Sequence, residues 1–230
     1  MAKTIAPKVK KRKKRWIPLV APESLNSRPL GECFTFEPEM VKGRYVTLNY
    51  MTLTGEPKKQ HINISFRVVD VKDGKAITQV VRYFIVPSSL RRFVRKGKEK
   101  VDNSFVAKTS DDKYVRIKPL LVTNSKTHRS VITNLRTTTQ KLLQNVIVTY
   151  PYTRLIEEVI TYKLQKYLRD NLHKIYPIKI CEIRDMTLLE AKPKNFTFTK
   201  EDISEIIKKS RAASKNAEVV KKPKKEEKQE

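Results

Sequence analysis

The stretch that decides the fold class is Ile62-Asn63-Ile64-Ser65-Phe66-Arg67-Val68-Val69-Asp70-Val71-Lys72-Asp73-Gly74-Lys75-Ala76-Ile77-Thr78-Gln79-Val80-Val81-Arg82-Tyr83-Phe84-Ile85-Val86. Ile62, Ile64, Phe66 and Val68 alternate with Asn63, Ser65 and Arg67, the period-two signature of a half-buried strand over 62–71. Asp73-Gly74 is a dipeptide that tolerates positive φ, so it closes a tight hairpin into a second strand over 76–86.

Outward from this hairpin, residues 45–53 and 113–122 read as further strands and 32–36 as a short one, with a short helix over 88–95. Pro18, Pro22 and Pro29 break any helix in the entry to the domain. Beyond residue 123 the period lengthens. Ile132, Leu135, Leu142, Leu143 and Val146 form one stripe of a helix over 130–147. Pro151 starts another, in which Ile156, Ile160, Leu164, Tyr167, Leu168, Leu172 and Ile175 share a side and Pro177 ends the run. Ile178–Leu189 returns to strand, Ile178 and Ile180 alternating with Lys179 and Cys181, and a last helix is expected over 200–210. Strands, then helices, then one returning strand indicate an α+β fold rather than a doubly wound one. The organisation expected is a disordered basic arm over 1–15, a single α+β domain over 16–211 and a mobile Lys/Glu-rich tail over 212–230.

Charge narrows the function. The chain of 230 residues carries a formal net charge of +26. Residues 1–15 hold eight Lys/Arg and no acid, and residues 212–230 a surplus of two cations; removing both leaves +16 on residues 16–211. A folded domain with that excess repels itself unless a polyanion neutralises it. No apolar stretch of signal-peptide or membrane-spanning length follows the basic start, so neither export nor insertion is expected. Cys33 and Cys181 form no C-x-x-C pair and read as reduced thiols buried in strands.

The densest cation run is Lys8, Lys10, Lys11, Arg12, Lys13, Lys14 and Arg15. Each such side chain that meets a phosphate releases condensed counterions and gives salt-dependent, sequence-independent affinity. Trp16 follows directly, and either stacks on a base or anchors the arm against the domain, the burial habit of Trp favouring the anchor. Arg91, Arg92, Arg95, Lys96 and Lys98 form a second basic segment at a helix end and loop. Lys126 and Arg129 lie in a polar segment just before a helix, where free N–H groups suit phosphate; simple N-capping by Ser125, Thr127 or Ser130 explains the same residues. Lys163, Lys166 and Arg169, interleaved with Glu157, Glu158 and Asp170, read as a solvated helix face or a weaker RNA contact.

Chemistry is not expected. His61, His128 and His173 stand apart without ligand-like companions, so no metal site is expected. Neither Gly31 nor Gly74 starts a phosphate loop, no G-x-S-x-G is present, and no cofactor is called for.

Several segments taken in order resemble a known family. They are Trp16 with Ala21-Pro22-Glu23; Lys42-Gly43-Arg44; Asp112-Lys113-Tyr114-Val115-Arg116; residues 132–136 before a long helix; Ile175-Tyr176-Pro177-Ile178; and Lys192-Pro193-Lys194-Asn195-Phe196. Together, over about residues 15–208, they resemble the small-subunit ribosomal protein family called S-three-a, or eukaryotic-type S-one. The short arm makes the chain archaeal-like, and Gly97 departs from the bulkier residue expected there. The resemblance implies a β-barrel-like core of antiparallel strands flanked by helices. It also implies a place on the platform of the small subunit near the mRNA exit, contact with ribosomal RNA and neighbouring ribosomal proteins, and no enzymatic activity. Contact with mRNA near the exit is a further expectation, and no membrane partner or homo-oligomer is expected. Lys42 and Arg44 join the RNA-binding candidates through this resemblance. A free RNA- or DNA-binding factor, such as a chromatin protein or RNA chaperone, is the alternative, and an RNA-modifying enzyme a more distant one.

Overall fold

The structure is a computed structural model and describes residues 13–190. The chain divides after Arg92 into two compact units.

The first unit is built on the hairpin. β4 (Ile62–Lys72) and β5 (Lys75–Ile85) pair antiparallel around Asp73 (φ 52°) and Gly74 (φ 72°). Ile62, Ile64, Phe66 and Val68 are buried on one face of β4, and Ala76, Val80, Tyr83 and Ile85 on the matching face of β5. Burying each of the larger side chains contributes about 1.5–3 kcal/mol, so this alternation fixes the register. β3 (Tyr45–Asn49) adds antiparallel to β4, Tyr45 opposite Arg67. β1 (Arg15–Val20) runs parallel to β5 over Leu19–Ala76 and Val20–Ile77, and β2 (Pro29–Thr35) pairs antiparallel with β1.

One local expectation in this unit gives way, and one strand is added. The strand expected over 45–53 stops at Asn49, whose side-chain oxygen accepts from the Met51 amide at 2.9 Å and so caps the single-turn helix α1 (Tyr50–Thr54). The entry segment is a strand, β1, in spite of Pro18. Its parallel contact with β5 spans only Leu19 and Val20, so the N–H that Pro18 lacks removes no bond on that side. The expected helix over 88–95 is α2 (Pro87–Phe93).

In the second unit, β6 (Lys100–Asp102) and β7 (Phe105–Lys108) share one edge of β8 (Tyr114–Thr123), and β9 (Ile178–Leu189) pairs antiparallel along its other edge. Lys118 Nζ donates to the buried Asp185 carboxylate at 2.9 Å across this pair. α3 (Arg129–Thr149) buries Leu135, Thr139, Leu143 and Ile147 at four-residue spacing, a stripe one position away from the expected Leu142 and Val146.

The long helix expected after Pro151 is two helices, α4 (Tyr152–Ile160) and α5 (Lys163–Leu172). Tyr162 between them takes the left-handed conformation (φ 62°), which halts the α4 ladder and redirects the chain. Ile156, Ile160, Leu164, Leu168 and Leu172 of the expected stripe are buried, whereas Tyr167 and Ile175 are exposed.

The α+β class holds. The barrel-like expectation is too loose: in the first unit the strand order β2-β1-β5-β4-β3 is open, β2 and β3 not pairing with each other, and β1 runs parallel to β5. The helix expected over 200–210 and the Lys/Glu-rich tail lie outside the described residues.

Candidate nucleic-acid interface

The basic arm enters the structure at its last three cations; Lys8, Lys10, Lys11 and Arg12 lie outside the described residues. Lys14 holds its ammonium 5.4 Å above the Phe34 ring and 5.0 Å above Phe36. Arg15 stands opposite Thr35 and Trp16 opposite Phe34 in the β1–β2 pair. Trp16 is 64% exposed and Phe34 46%, their ring centroids 4.6 Å apart at a 32° tilt. The burial expected from an anchoring Trp is absent: the indole lies on the surface, held from one side by Phe34. Phe34 and Phe36 are contributors that the sequence reading missed; an apolar residue in a short strand reads as core until its facing side is known.

Lys42 and Arg44 are engaged locally. Lys42 forms an ion pair with Asp70 at 2.9 Å, and Arg44 Nη1 donates to Cys33 Sγ at 2.9 Å. The hydrogen bond with Asp70, and then its charge, holds the Lys42 ammonium above its usual pKa and the Asp70 carboxyl below. Cys33 is half-buried and Cys181 buried, both as free thiols.

The second basic segment is more open. Arg91 and Arg92 occupy the exposed last turn of α2, and Arg95 and Lys96 are exposed beyond it. Lys98 is brought against Lys179 of β9. Their hydrogen-bonding contact, partial desolvation and the charges of Lys179 and Arg95 lower the Lys98 pKa. Lys179 was read only as the polar side of an alternating strand. In the structure Thr123 faces Ile178 and Val122 faces Ile180, so Lys179 is the extra residue of a β-bulge. A bulge re-aims the side chain it carries. It also shifts the alternation, which is why Ile180 is half-buried and Cys181 is buried.

At the start of α3, Lys126 and Arg129 are exposed. The N-capping offered as the alternative is not what the helix start shows: His128 holds the cap position, and its side chain makes no capping hydrogen bond. Lys163, Lys166 and Arg169 lie on the exposed side of α5.

Among the described residues no group of three His, Cys, Asp or Glu is placed to hold a metal ion, and no helix is long and apolar enough to cross a membrane. Burial holds the His61 imidazole below its usual pKa.

The arrangement is that of a basic α+β protein with cations and aromatic rings displayed on its surface. The sequence matches the Ribosomal S3Ae family over residues 4–192, and the chain belongs to that family. It is therefore a ribosomal structural protein and not an enzyme. Among similar proteins, the small ribosomal subunit protein eS1 of Haloarcula marismortui is 30% identical over 180 residues, covering 78% of this chain and 84% of that protein. The protein of the same name from Halorubrum lacusprofundi is 29% identical over 180 residues, covering 78% and 83%. That from Sulfurisphaera tokodaii is 26% identical over 195 residues, covering 83% of this chain and 99% of the relative.

Proposed function

We propose that this chain is a structural constituent of the small ribosomal subunit, in the cytoplasm, where it binds ribosomal RNA and supports translation. Membership in the Ribosomal S3Ae family is the observation that carries this reading. The charge of +16 on residues 16–211 supports it, because cations spread over the folded part suit a partner that wraps the domain.

The cations work by charge neutralisation. Lys13, Lys14 and Arg15 of the arm, Arg91, Arg92, Arg95, Lys96 and Lys98, Lys179, and Lys126 and Arg129 hold RNA phosphates that would otherwise repel one another. Lys42 and Arg44 contribute after exchanging their local partners for phosphate. Neighbouring small-subunit proteins dock on the exposed apolar surface. The platform near the mRNA exit is the location implied by the family resemblance.

Sucrose-gradient sedimentation tests this reading: the chain should travel with the small subunit in moderately high salt, and probing should find ribosomal RNA bases that it protects. A chain that leaves the subunit at modest salt would instead be a free RNA- or DNA-binding factor.

A further inference from the structure

The alternation that buries Ile62, Ile64, Phe66 and Val68 of β4 turns Asn63, Ser65 and Arg67 to the opposite face of the sheet. The registers of β3 and β5 place their own outward residues in the same rows. Tyr45 stands beside Arg67, Thr47 and Arg82 flank Ser65, and Asn49 and Phe84 flank Asn63. None of these side chains is buried, none is acidic, and Tyr45 is 58% exposed.

Arg82 and Phe84 reach this face through a β-bulge. Phe66 pairs with Val80 and Ser65 with Arg82, which leaves Val81 as the extra residue. Without it, Arg82 and Phe84 would stand opposite the buried Ile64 and Ile62 and point into the core. Both rings on the face carry a guanidinium. Arg67 lies 5.6 Å from the Tyr45 ring centroid and Arg82 4.8 Å from that of Phe84. Between the two rings, the Thr47 and Ser65 hydroxyls bond each other at 2.8 Å, and Asn49 Nδ2 donates to Asn63 Oδ1 at 3.1 Å. The hydroxyls and the Asn63 amide keep further donor and acceptor capacity.

A ligand recognised by its phosphates alone needs cations and has no use for the rings. Flat rings, planar guanidinium groups and small hydrogen-bonding side chains suit unpaired bases, which stack on the first two and bond the third through their edges. A duplex keeps its base faces stacked inside and offers none of this. A base stacks on an exposed ring more favourably than a guanidinium does, so it displaces the arginine and frees it for the adjoining phosphate. The rings lie two strands and four residues apart, about 10 Å across the strands and about 13 Å along them. No single base reaches both, so the ligand that fits is a strand of several nucleotides.

We propose that this face of β3, β4 and β5 binds a single-stranded segment of RNA. One base stacks at Tyr45 and another at Phe84, with Arg67 and Arg82 on the phosphates. The inference rests on the RNA-binding reading above and adds a contact that distinguishes unpaired from paired RNA.

The test uses the full chain, a ten-nucleotide single-stranded RNA and an RNA duplex of the same length. Tyr45→Ala should lower affinity for the strand about tenfold, the scale of one base stack, and leave affinity for the duplex unchanged. Tyr45→Phe keeps the ring and should keep the affinity; a loss there too would overturn stacking. On the unaltered chain, a strand carrying 5-iodouridine should crosslink on irradiation to Tyr45 or Phe84, so the test does not depend on a variant folding. Equal losses on strand and duplex, no loss on either, or crosslinks confined to Trp16 would overturn the stacking face and leave the RNA-binding reading standing. Failure of the unaltered chain to bind either RNA overturns both. Poly-glutamate binding that is weakened by Tyr45→Ala, with strand binding unaffected, would assign the face to an acidic protein partner and also overturn the proposal.

Discussion

Trp16 and Phe34 face each other across the β1–β2 pair with ring centroids 4.6 Å apart, and both rings reach solvent. Lys14 sits over Phe34 and Phe36 in the same corner, so the last cations of the arm and a small aromatic platform form one surface. A base that stacks on the indole would meet a backbone-binding cation immediately beside it.

Trp16 is the only tryptophan, which makes its emission a direct reporter. RNA should quench that fluorescence on binding, and Trp16→Ala should cost about 1–3 kcal/mol of affinity for single strands without changing the salt slope. Emission unchanged through saturation would rule out stacking.

Replacing Lys8, Lys10, Lys11, Arg12, Lys13, Lys14 and Arg15 with neutral residues should lower RNA affinity and flatten its salt dependence. Each lost phosphate contact should reduce the slope of log affinity against log salt by about 0.7 for single strands and 0.9 for duplex. Titration at several salt concentrations measures this, and an unchanged slope would remove the arm from the interface.

Lys179 lies beside Lys98, and its proximity lowers the Lys98 pKa. Lys179→Ala should leave stability in urea unchanged or raised, yet weaken RNA binding evenly across sequences and reduce the salt slope by about 1. Loss of stability together with unchanged binding would mark the contact as structural.

Glu182 gives a stability profile of definite sign. Burial pushes its carboxyl up to about 7 in the fold against an ordinary 4.5, so the folded state retains a proton that the unfolded chain has released. Stability attributable to this group is complete below about pH 4.5, falls as pH rises, and levels off above about 7. Glu182→Gln removes the decline: the variant should match the parent at acid pH and exceed it by up to about 3 kcal/mol at alkaline pH. Urea unfolding across that range measures the difference; a constant offset would show that Glu182 is not the titrating group.

Legibility in the sequence followed burial. β4, β5 and β9 were readable because a face of each is sealed, so alternation had to appear in the residues themselves. β1 was hidden by Pro18, whose missing donor matters only where a neighbour needs it. The turn into α1 was hidden because Asn49 caps a helix too short to show a period. The arm and the Arg91–Lys98 segment announced themselves as charge. Lys179 and Glu182 did not: a lysine or glutamate in an alternating strand reads as solvent-facing, and only the bulge opposite Val122 and Thr123 reveals that the phase has slipped.

The left-handed Tyr162 has a consequence for how this sequence can change. In an unbroken helix every inserted residue rotates all that follows by about 100° and would turn the apolar stripe of α5 away from β9. With the chain reset at Tyr162, the two helices keep separate phases, and length variation at the joint is absorbed locally while α3, which has no such joint, admits none. One residue's handedness thus separates the phase of α4 from that of α5.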